Sequence, residues 1–276
     1  MLTEGQSEKA DRLRQLIQRF ERVAVAFSGG ADSTLLLAAC LEVLGSENVL
    51  ALSVTSTLVP VAESERAVEL AARLGTEHRV VPFRALELPG VVANQPDRCY
   101  HCKKALLSKL LTIAEGEGYS VLLRGANADD KGDFRPGMRA GVELGVRAPL
   151  LEAGLTKVDV RALSRAMDLP TWDLPSMACL ASRMPYGVPL TAQALRRVEA
   201  AESVLRDRFV LGQLRVRDHF PIARIEIPGK DIDRVSRSPV RENVVHALQA
   251  LGYRYVTLDL EGFRSGSLNE VLNQKA

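Results

Sequence analysis

The stretch VAVAFSGGADSTLLLAACLEVLG, residues 23–45, decides the fold. Its first five residues are apolar and form a run of the length of one buried strand, and the glycine-rich turn SGGADS follows directly. Residues 34–44 are mostly apolar, which is typical of a buried helix, and Gly45 marks the end of that helix. The segment therefore predicts a strand, a tight glycine turn and a helix in immediate succession.

The alternation of strands and helices continues on the carboxyl side of this segment. Further strands are predicted at residues 49–55, 78–83 and 120–123, and further helices at residues 60–74, 102–117 and 156–167. Thr156 and Asp159 have the spacing of a capping box at the start of the last helix. Strands that alternate with helices in this way form parallel sheets with crossover helices. The predicted fold class is α/β, with a doubly wound and mostly parallel sheet.

The order of the elements changes near residue 180, after a segment rich in Pro, Gly and Ser at residues 174–190. Beyond it, the pattern predicts a helix at 192–206, strands at 213–219 and 222–227, one helix at 231–251 and a strand at 255–260. This arrangement is typical of a small α+β domain. We therefore predict two domains, residues 1–180 and residues 181–276.

Composition excludes several classes of protein. The chain has 276 residues, of which 46% are hydrophobic, so it has enough apolar material for a folded core. Its net charge of +2 is too balanced for a general nucleic-acid binder, although the basic residues are in excess after residue 180. No apolar run approaches the roughly 20 residues of a membrane span, and the charged opening resembles no signal peptide. We predict a cytoplasmic protein without membrane association or stable nucleic-acid binding.

The turn SGGADS has the residue types of a phosphate loop. Gly29 and Gly30 can adopt a positive φ and let the backbone approach a phosphate, while Ser28 and Ser33 add hydroxyl donors. The start of the following helix attracts an anion, and Asp32 can hold Mg²⁺ that bridges phosphate oxygens. Neither the Walker A pattern nor GxGxxG is present. The alternative is an ordinary glycine turn between a strand and a helix.

The four cysteines indicate metal binding, catalysis or burial rather than disulfides. Cys99 and Cys102 are spaced so that both thiolates can reach one zinc ion or one iron of a cluster. Cys179 is the natural third ligand, because it lies in a predicted loop close to Arg183. Two alternatives remain open, a zinc site completed by His101 or another ligand, and a redox pair. Cys40 lies in an apolar helix and is predicted to be a small buried residue.

The hexapeptide SGGADS resembles the signature of the PP-loop ATP pyrophosphatases, which split ATP between its α and β phosphates. This resemblance implies a fold similar to the adenine nucleotide alpha hydrolases, with pyrophosphate bound in the loop. ATP and Mg²⁺ are thus the expected substrate and cofactor.

Three further segments narrow the resemblance. They are CLASRMPYG at residues 179–187, LRVRDHFPIARIEIP at 214–228 and LGYRYVTLDLEGFRSGSLNE at 251–270. Together with SGGADS, they resemble the LarE family over essentially the whole chain. The resemblance implies that a carboxylate of pyridinium-3,5-biscarboxylic acid mononucleotide is adenylylated and that sulfur then replaces AMP. The thiocarboxylate belongs to the synthesis of the nickel-pincer nucleotide cofactor of lactate racemase.

The same resemblance implies roles for single residues. In some family members the cysteine that matches Cys179 gives up its own sulfur. This chain also has Cys99 and Cys102, and so looks like the members in which three cysteines hold a four-iron cluster that carries the sulfur.

A second phosphate site is expected for the nucleotide substrate. Alternate arginines of a strand point to one face and can grip a phosphate, which fits Arg215 and Arg217 together with Arg183. The resemblance adds Ser182 to this site, and it gives polar or metal contacts to two glutamates, Glu202 and Glu226. The alternative for Arg215 and Arg217 is solvated charge on a half-exposed sheet.

The resemblance also implies a homo-oligomer, a sulfur donor and a downstream nickel-insertion protein. Three other activities compete with it. A tRNA thiolase would need a broad basic surface, which the balanced charge does not favour. An ATP-binding sensor would bind ATP without releasing pyrophosphate. A glutamine-dependent amide synthetase would need a glutaminase nucleophile, and the sequence shows no such pattern.

Overall fold

The computed structural model describes residues 2–132, 136–175, 178–264 and 266–273. The chain forms two compact units, residues 1–88 with 97–177, and residues 89–96 with 178–276. The short segment 89–96 thus groups with the carboxyl-terminal part of the chain. The domain boundary at residue 180 stays a prediction.

The first unit is built on a four-stranded parallel sheet. Its strands are β1 (Val23–Ala26), β2 (Val49–Thr55), β3 (Glu77–Pro82) and β4 (Val121–Arg124). Their order is β3-β2-β1-β4, and each neighbouring pair is parallel. The predicted α/β class with a mostly parallel sheet is therefore confirmed.

Helices accompany these strands and continue to the end of the described chain. In chain order they are α1 (Glu4–Ile17), α2 (Ala31–Leu44), α3 (Val61–Leu74), α4 (Pro89–Val92), α5 (Arg98–Gly116), α6 (Pro136–Glu143), α7 (Pro149–Glu152), α8 (Lys157–Ala166), α9 (Ala192–Phe209), α10 (Gly229–Ser236), α11 (Val240–Ala250) and α12 (Glu270–Asn273). Among the residues covered, no helix is long and apolar enough to cross a membrane.

Both faces of the central strand β1 are buried, as are those of most of β2, which explains the apolar runs of these two strands. Val25 packs with residues of α1, α2 and α8 on one face, whereas Ala24 packs with residues of α5 on the other. Successive side chains of a strand point to opposite faces, so a strand covered on both sides needs apolar residues at every position. The strand VAVA is thereby fixed at the centre of the unit.

Two of the predicted helices, at residues 102–117 and 231–251, differ from the structure. Helix α5 begins at Arg98, earlier than the predicted residue 102, so both cysteines of the CxxC motif lie inside the helix. The single helix predicted for residues 231–251 is wrong, because the chain forms α10 and α11 with a break before Val240. Pro239 precedes that residue, and proline cannot donate to the helix ladder and clashes with the preceding turn.

The second unit contains a three-stranded sheet of β5 (Arg215–His219), β6 (Ile222–Glu226) and β7 (Tyr255–Leu258). Strands β5 and β6 are antiparallel, and β6 and β7 are parallel. Apolar residues of α9, α10 and α11 pack with this sheet in a core of their own. The mixture of a short sheet and helices confirms the α+β character predicted for this part of the chain.

The capping box of α8 predicts how stability depends on pH. Burial raises the pKa of the Asp159 carboxyl, but the Lys9 ammonium at 2.6 Å and the donors of Thr156 outweigh burial and lower the pKa to about 2. Such a carboxyl stabilises the fold above its unfolded pKa of about 3.9, and this contribution is lost as the pH falls to about 2. We expect Asp159→Asn to lower the free energy of unfolding at neutral pH by about 1 kcal/mol in urea denaturation. The difference between the two proteins should shrink between pH of about 4 and about 2, and a constant difference would contradict this role.

Candidate active site

The turn after β1 depends on its two glycines. Gly29 has a φ of +70°, in the left-handed region that glycine adopts without strain. A Cβ at Gly29 would lie 3.1 Å from the Cα of Ala67 in α3, so a larger residue would push the turn away from that helix. Gly30 is the N-cap of α2 and adds no side chain over the helix start. The backbone at this end of the helix thus stays open to a ligand.

Two serine hydroxyls hold the turn together. Ser33 Oγ donates to the carbonyl of Gly30 at 3.1 Å and accepts from the N–H of Ser28 at 3.3 Å. Because the Ser33 proton is used in the first bond, Ser28 Oγ donates to Ser33 Oγ across their 3.1 Å separation. The first N–H groups of α2 have no acceptor within the helix and, with the helix dipole, favour an anion.

Asp32 is held by two side chains that are distant in the sequence. Lys157 Nζ lies 2.5 Å from Asp32 Oδ2, and Asn127 Nδ2 donates to Asp32 Oδ1 at 3.0 Å. The side chains of Asp32 and Lys157 keep 24% and 26% of their exposure, so both remain within reach of a ligand. Asn127 and Lys157 are not among the site residues predicted from the sequence.

The loop after β4 orients the asparagine and the lysine. Asn127 Oδ1 accepts from the N–H of Asp129 at 3.0 Å, and Asp130 accepts from the N–H of Asn127 at 3.0 Å. Asp129 also accepts from the N–H of Lys157 at 2.8 Å. The loop is therefore tied to the start of α8, and its carboxylates have a structural role.

This loop meets the SGGADS turn at the reversal point of the sheet. The chain leaves β1 towards β2, while β4 lies on the opposite side of β1. Ligands of open α/β sheets bind in the crevice at such a point. Gly125 directly follows β4, and a Cβ there would lie 2.8 Å from the backbone nitrogen of Ser33. The close approach brings Asp32, Asn127 and Lys157 together at the reversal point of the sheet, which makes them candidates for a ligand site.

Charges at this point suit a magnesium ion with a nucleotide phosphate. Mg²⁺ accepts one or two carboxylates and takes its other ligands from phosphate and water. Asp32 supplies such a carboxylate, and its contact with the Lys157 ammonium shows that the position favours a cation. Lys157 occupies the first position of α8, where a positive charge opposes the helix dipole. This unfavourable placement is the sequence signal that would have indicated an anion-binding lysine.

The CxxC motif lies at the start of α5. Cys99 is exposed and Cys102 is half-buried, and residues three apart in a helix share one face. Within the described ranges, no three Cys, His, Asp or Glu side chains form a group that could hold a metal ion. The cluster, the zinc site and the redox pair therefore all stay predictions. The fourth cysteine, Cys40, is buried, which raises the pKa of its thiol and keeps it protonated.

In the second unit, Arg183 shapes the loop that carries Cys179. The thiol of Cys179 is exposed. Arg183 Nη1 donates to the carbonyls of Ala178 and Cys179, the latter at 3.1 Å, and to Ser182 Oγ at 3.0 Å. A fully buried guanidinium thus fixes the backbone on both sides of the cysteine.

Two glutamates each hold one arginine through a pair of hydrogen bonds. Arg183 Nε and Nη2 donate to Glu202 at 2.8 and 2.9 Å, and Arg217 Nε and Nη2 donate to Glu226 at 2.9 and 2.8 Å. Both carboxylates are buried, and the pairs compensate their charges. The metal contacts expected for Glu202 and Glu226 stay a prediction, since arginines occupy these oxygens here.

Arg215 has different surroundings from the other two arginines. Its guanidinium donates to the carbonyl of Leu214 and lies 5.2 Å from the centre of the Phe263 ring. Burial, followed by the charge of Arg183, lowers the pKa of Arg215 to about 10. Positive groups crowded in a buried region favour an anion, because it relieves their repulsion. Arg217 adds a link to the cysteine loop, since its Nη1 donates to the carbonyl of Ser182 at 2.7 Å.

This chain has a turn of serines and glycines before an open helix start, at the reversal point of a parallel sheet, with an aspartate in the first turn of the helix. These features are typical of the PP-loop ATP pyrophosphatase class. A family model for NAD synthase matches residues 7–89. The pyridinium-3,5-bisthiocarboxylic acid mononucleotide synthase of Lactiplantibacillus plantarum is 41% identical over 94% of this chain and 92% of its own length. The chain belongs to the family of this synthase, the LarE family.

Two other relatives show how far the similarity extends. An uncharacterised protein of Synechocystis is 40% identical over 96% of this chain and 98% of its own length. An argininosuccinate synthase of Halobacterium salinarum is 35% identical, but over only 54% of this chain and 40% of its own length. The similarity to the Lactiplantibacillus and Synechocystis proteins thus covers residues of both units. It confirms the resemblance to the LarE family that the four sequence segments indicate.

Lys157 offers a direct test of this site. We expect Lys157→Met to weaken ATP binding about 10- to 100-fold, because a charge-assisted contact to a phosphate is lost. Titration calorimetry with a non-hydrolysable ATP analogue measures the effect. Lys9→Met is the matched control, because Lys9 also forms an ion pair with an aspartate, Asp159, at 2.6 Å, but does not contact Asp32. Equal affinities of the two variants would exclude a contact between Lys157 and ATP.

Proposed function

We propose that this chain is an ATP-dependent sulfur transferase acting on pyridinium-3,5-biscarboxylic acid mononucleotide. It would convert a carboxylate of that substrate to a thiocarboxylate during synthesis of the nickel-pincer nucleotide cofactor of lactate racemase. The name of the Lactiplantibacillus plantarum relative and its 41% identity over nearly the full chain support this substrate. The observation that carries the proposal is the contact of Asp32 with Lys157 beside an open helix start, which suits an ATP pyrophosphate and its cation.

Activation of the carboxylate comes first. A carboxylate is a poor acyl donor, so its oxygen attacks the α phosphorus of ATP, pyrophosphate leaves, and an acyl adenylate forms. The first N–H groups of α2 and the ammonium of Lys157 stabilise the charge that develops on the pyrophosphate. Mg²⁺ held by Asp32 would add positive charge to the same leaving group.

The arginines of the second unit suit the phosphate of the substrate mononucleotide. We assign this phosphate to Arg215, with Arg183, Arg217 and the hydroxyl of Ser182 as neighbours. Arg183 and Arg217 are already oriented by Glu202 and Glu226, so binding needs little rearrangement of these side chains. The lowered pKa of Arg215 supports an anion at this position.

Sulfur enters in the second step, when it attacks the carbonyl of the acyl adenylate and AMP leaves. We assign the transfer to Cys179 and propose that Cys99 and Cys102 join it in binding a four-iron cluster. Anaerobic purification followed by iron and acid-labile sulfide analysis tests the cluster. Iron with an unchanged protein mass after turnover supports the cluster, whereas loss of about one H₂S from Cys179 supports sacrifice of the cysteine itself.

The family resemblance and the proposed reaction together suggest three kinds of association. We propose a symmetric homo-oligomer, a donor that restores the sulfur after each turnover, and a downstream protein that inserts nickel. The homo-oligomer rests on analogy with the family, and sedimentation of the purified chain measures it.

Pyrophosphate release decides the proposal as a whole. We expect release from ATP to require the pyridinium biscarboxylate mononucleotide, and mass spectrometry to detect a thiocarboxylate product once sulfur is supplied. A tRNA substrate and a buffer blank serve as the comparisons. The proposal fails if pyrophosphate release does not respond to the mononucleotide, or if tRNA alone stimulates it.

A further inference from the structure

A serine and a histidine outside the phosphate loop meet at the carboxyl end of β1. Ser53 in β2 donates its hydroxyl proton to the carbonyl of Phe27 at 2.7 Å. His78 in β3 places Nε2 at 2.8 Å from the same hydroxyl oxygen. Phe27 directly precedes Ser28, the first residue of the phosphate loop. Ser53 and Phe27 are both buried, and His78 is half-buried.

The hydrogen bonds define the tautomer of the histidine. The Ser53 hydroxyl has one proton, which goes to Phe27 because a carbonyl can only accept. His78 must therefore donate from Nε2, so in the neutral imidazole the single proton is on Nε2 and Nδ1 carries none. Burial lowers the pKa of His78, which favours this neutral form. The Phe27 ring packs edge-on against the imidazole with the ring centres 6.2 Å apart.

The hydrogen bonds from His78 to Ser53 and from Ser53 to Phe27 lie where the pairing of β1 with β2 ends. Ala26 and Leu52 are the last paired residues of β1 and β2, and the N–H of Phe27 still donates to the carbonyl of Leu52 at 2.8 Å. Beyond that bond, the carbonyl of Phe27 accepts from the side chain of Ser53 instead of from a backbone N–H of β2. The carbonyl direction of Phe27 is thus set by a side chain at the last residue before the loop.

We propose that Ser53 and His78 are positioning residues that hold the Phe27 carbonyl and so fix the phosphate loop in the conformation that binds the terminal phosphates of ATP. Rotation of the Phe27 carbonyl would turn the peptide that links it to Ser28. The adjacent Gly29 offers little resistance, because glycine crosses backbone conformations easily. The inference rests on the proposed function only in taking ATP as the ligand of the loop.

Ser53→Ala is the decisive variant. It removes the donor to Phe27 and the acceptor of His78, and leaves a carbonyl and an N–H without these partners. We expect ATP binding to weaken about tenfold, measured by calorimetry with a non-hydrolysable analogue. Ser53→Thr keeps the hydroxyl and should restore most of the affinity. His78→Leu removes only the outer donor and should have a smaller effect, and it serves as the second variant if Ser53→Ala does not fold.

The same sheet supplies a matched control. Thr76 Oγ1 donates to the carbonyl of Val49 at 3.1 Å, at the amino end of β2. Thr76→Val therefore removes a hydroxyl that also bonds a strand carbonyl, but does so away from the loop. We expect it to lower the melting temperature without weakening ATP binding. The proposal is overturned if Ser53→Ala and Thr76→Val weaken ATP binding equally. It is also overturned if Ser53→Ala binds ATP as tightly as the unsubstituted chain.

A spectroscopic measurement tests the proposal without ATP. The ¹⁵N chemical shifts of His78, assigned with His78→Leu, should show a proton on Nε2 in the unsubstituted chain and mixed tautomers in Ser53→Ala. A neutral imidazole with its proton on Nδ1 in the unsubstituted chain would contradict the hydrogen-bond chain, because Nε2 could then not donate to Ser53. If the unsubstituted chain does not bind ATP, the proposed function fails. If it binds ATP but the tautomer or the Ser53→Ala affinity is unchanged, only the positioning role of Ser53 and His78 fails.

Discussion

Asp32→Asn is expected to reduce pyrophosphate release by about 100- to 1,000-fold, the loss typical when one electrostatic contact to a developing charge is removed. The substitution preserves the size of the side chain and its hydrogen bond with Asn127, but it removes the negative charge. Lys157 then loses its ion-pair partner, and the magnesium ion proposed for this site would lose its protein carboxylate. The effect should therefore appear mainly in kcat, while the fold is retained.

A carboxylate on the same helix provides the control for this substitution. Glu42 lies near the other end of α2 and pairs with Arg14 at 3.1 Å, so Glu42→Gln removes an equal charge away from the loop. Rapid-quench measurement of pyrophosphate in both variants separates the two cases. An Asp32→Asn rate within about threefold of the Glu42→Gln rate would remove Asp32 from the mechanism.

The elements around the phosphate loop could be predicted because their signals are local. The predicted strand at residues 49–55 agrees with β2, and Gly45 and Gly75 follow the last residues of α2 and α3. Short apolar runs and a glycine at a helix end are visible in a few neighbouring residues. The strand, turn and helix that form the loop could thus be placed without tertiary information.

The partners of Asp32 could not be predicted in the same way. Asn127 and Lys157 are 95 and 125 residues away from it in the sequence, and only the sheet order brings them together. The pairing of Arg183 with Glu202 has the same origin, since both residues were candidates but their contact depends on how α9 packs. Sequence reasoning identified chemical types, whereas tertiary packing decides which charges compensate one another.

Helix α5 shows a different limit. Residues 98–101 lack the apolar spacing that marks a helix, so the pattern becomes visible only after the CxxC motif. In the fold, the Tyr100 hydroxyl donates to Glu143 of α6 at 2.7 Å. Gly137 of α6 packs so closely on α5 that a Cβ there would lie 2.9 Å from Cγ of Lys103. Contacts between the two helices therefore support a first turn that its own sequence does not indicate.

Cys179→Ala is expected to abolish thiocarboxylate formation, by about 1,000-fold or more, while pyrophosphate release continues for at least one turnover. In the proposed mechanism the two steps separate, because adenylylation uses the phosphate loop and sulfur transfer uses Cys179. Cys179→Ala removes the sulfur source if the cysteine gives up its own sulfur, and it removes a cluster ligand if a cluster carries the sulfur, so transfer should fail by either route. Arg183 holds the backbone of Cys179 through carbonyls rather than through the thiol, so the loop should survive the substitution.

Cys40→Ala is the control for Cys179→Ala, because it removes a buried cysteine that is expected to have no part in the reaction. It should lower stability modestly through the lost packing, and leave both products unchanged. Quantifying both products in the same quenched samples gives the ratio of thiocarboxylate formed to pyrophosphate released. A ratio in Cys179→Ala equal to that in Cys40→Ala would show that sulfur reaches the adenylate without Cys179. A ratio near zero, with pyrophosphate still released, would place this thiol on the path of the sulfur, because activation would then be intact and only the attack on the acyl adenylate would be missing.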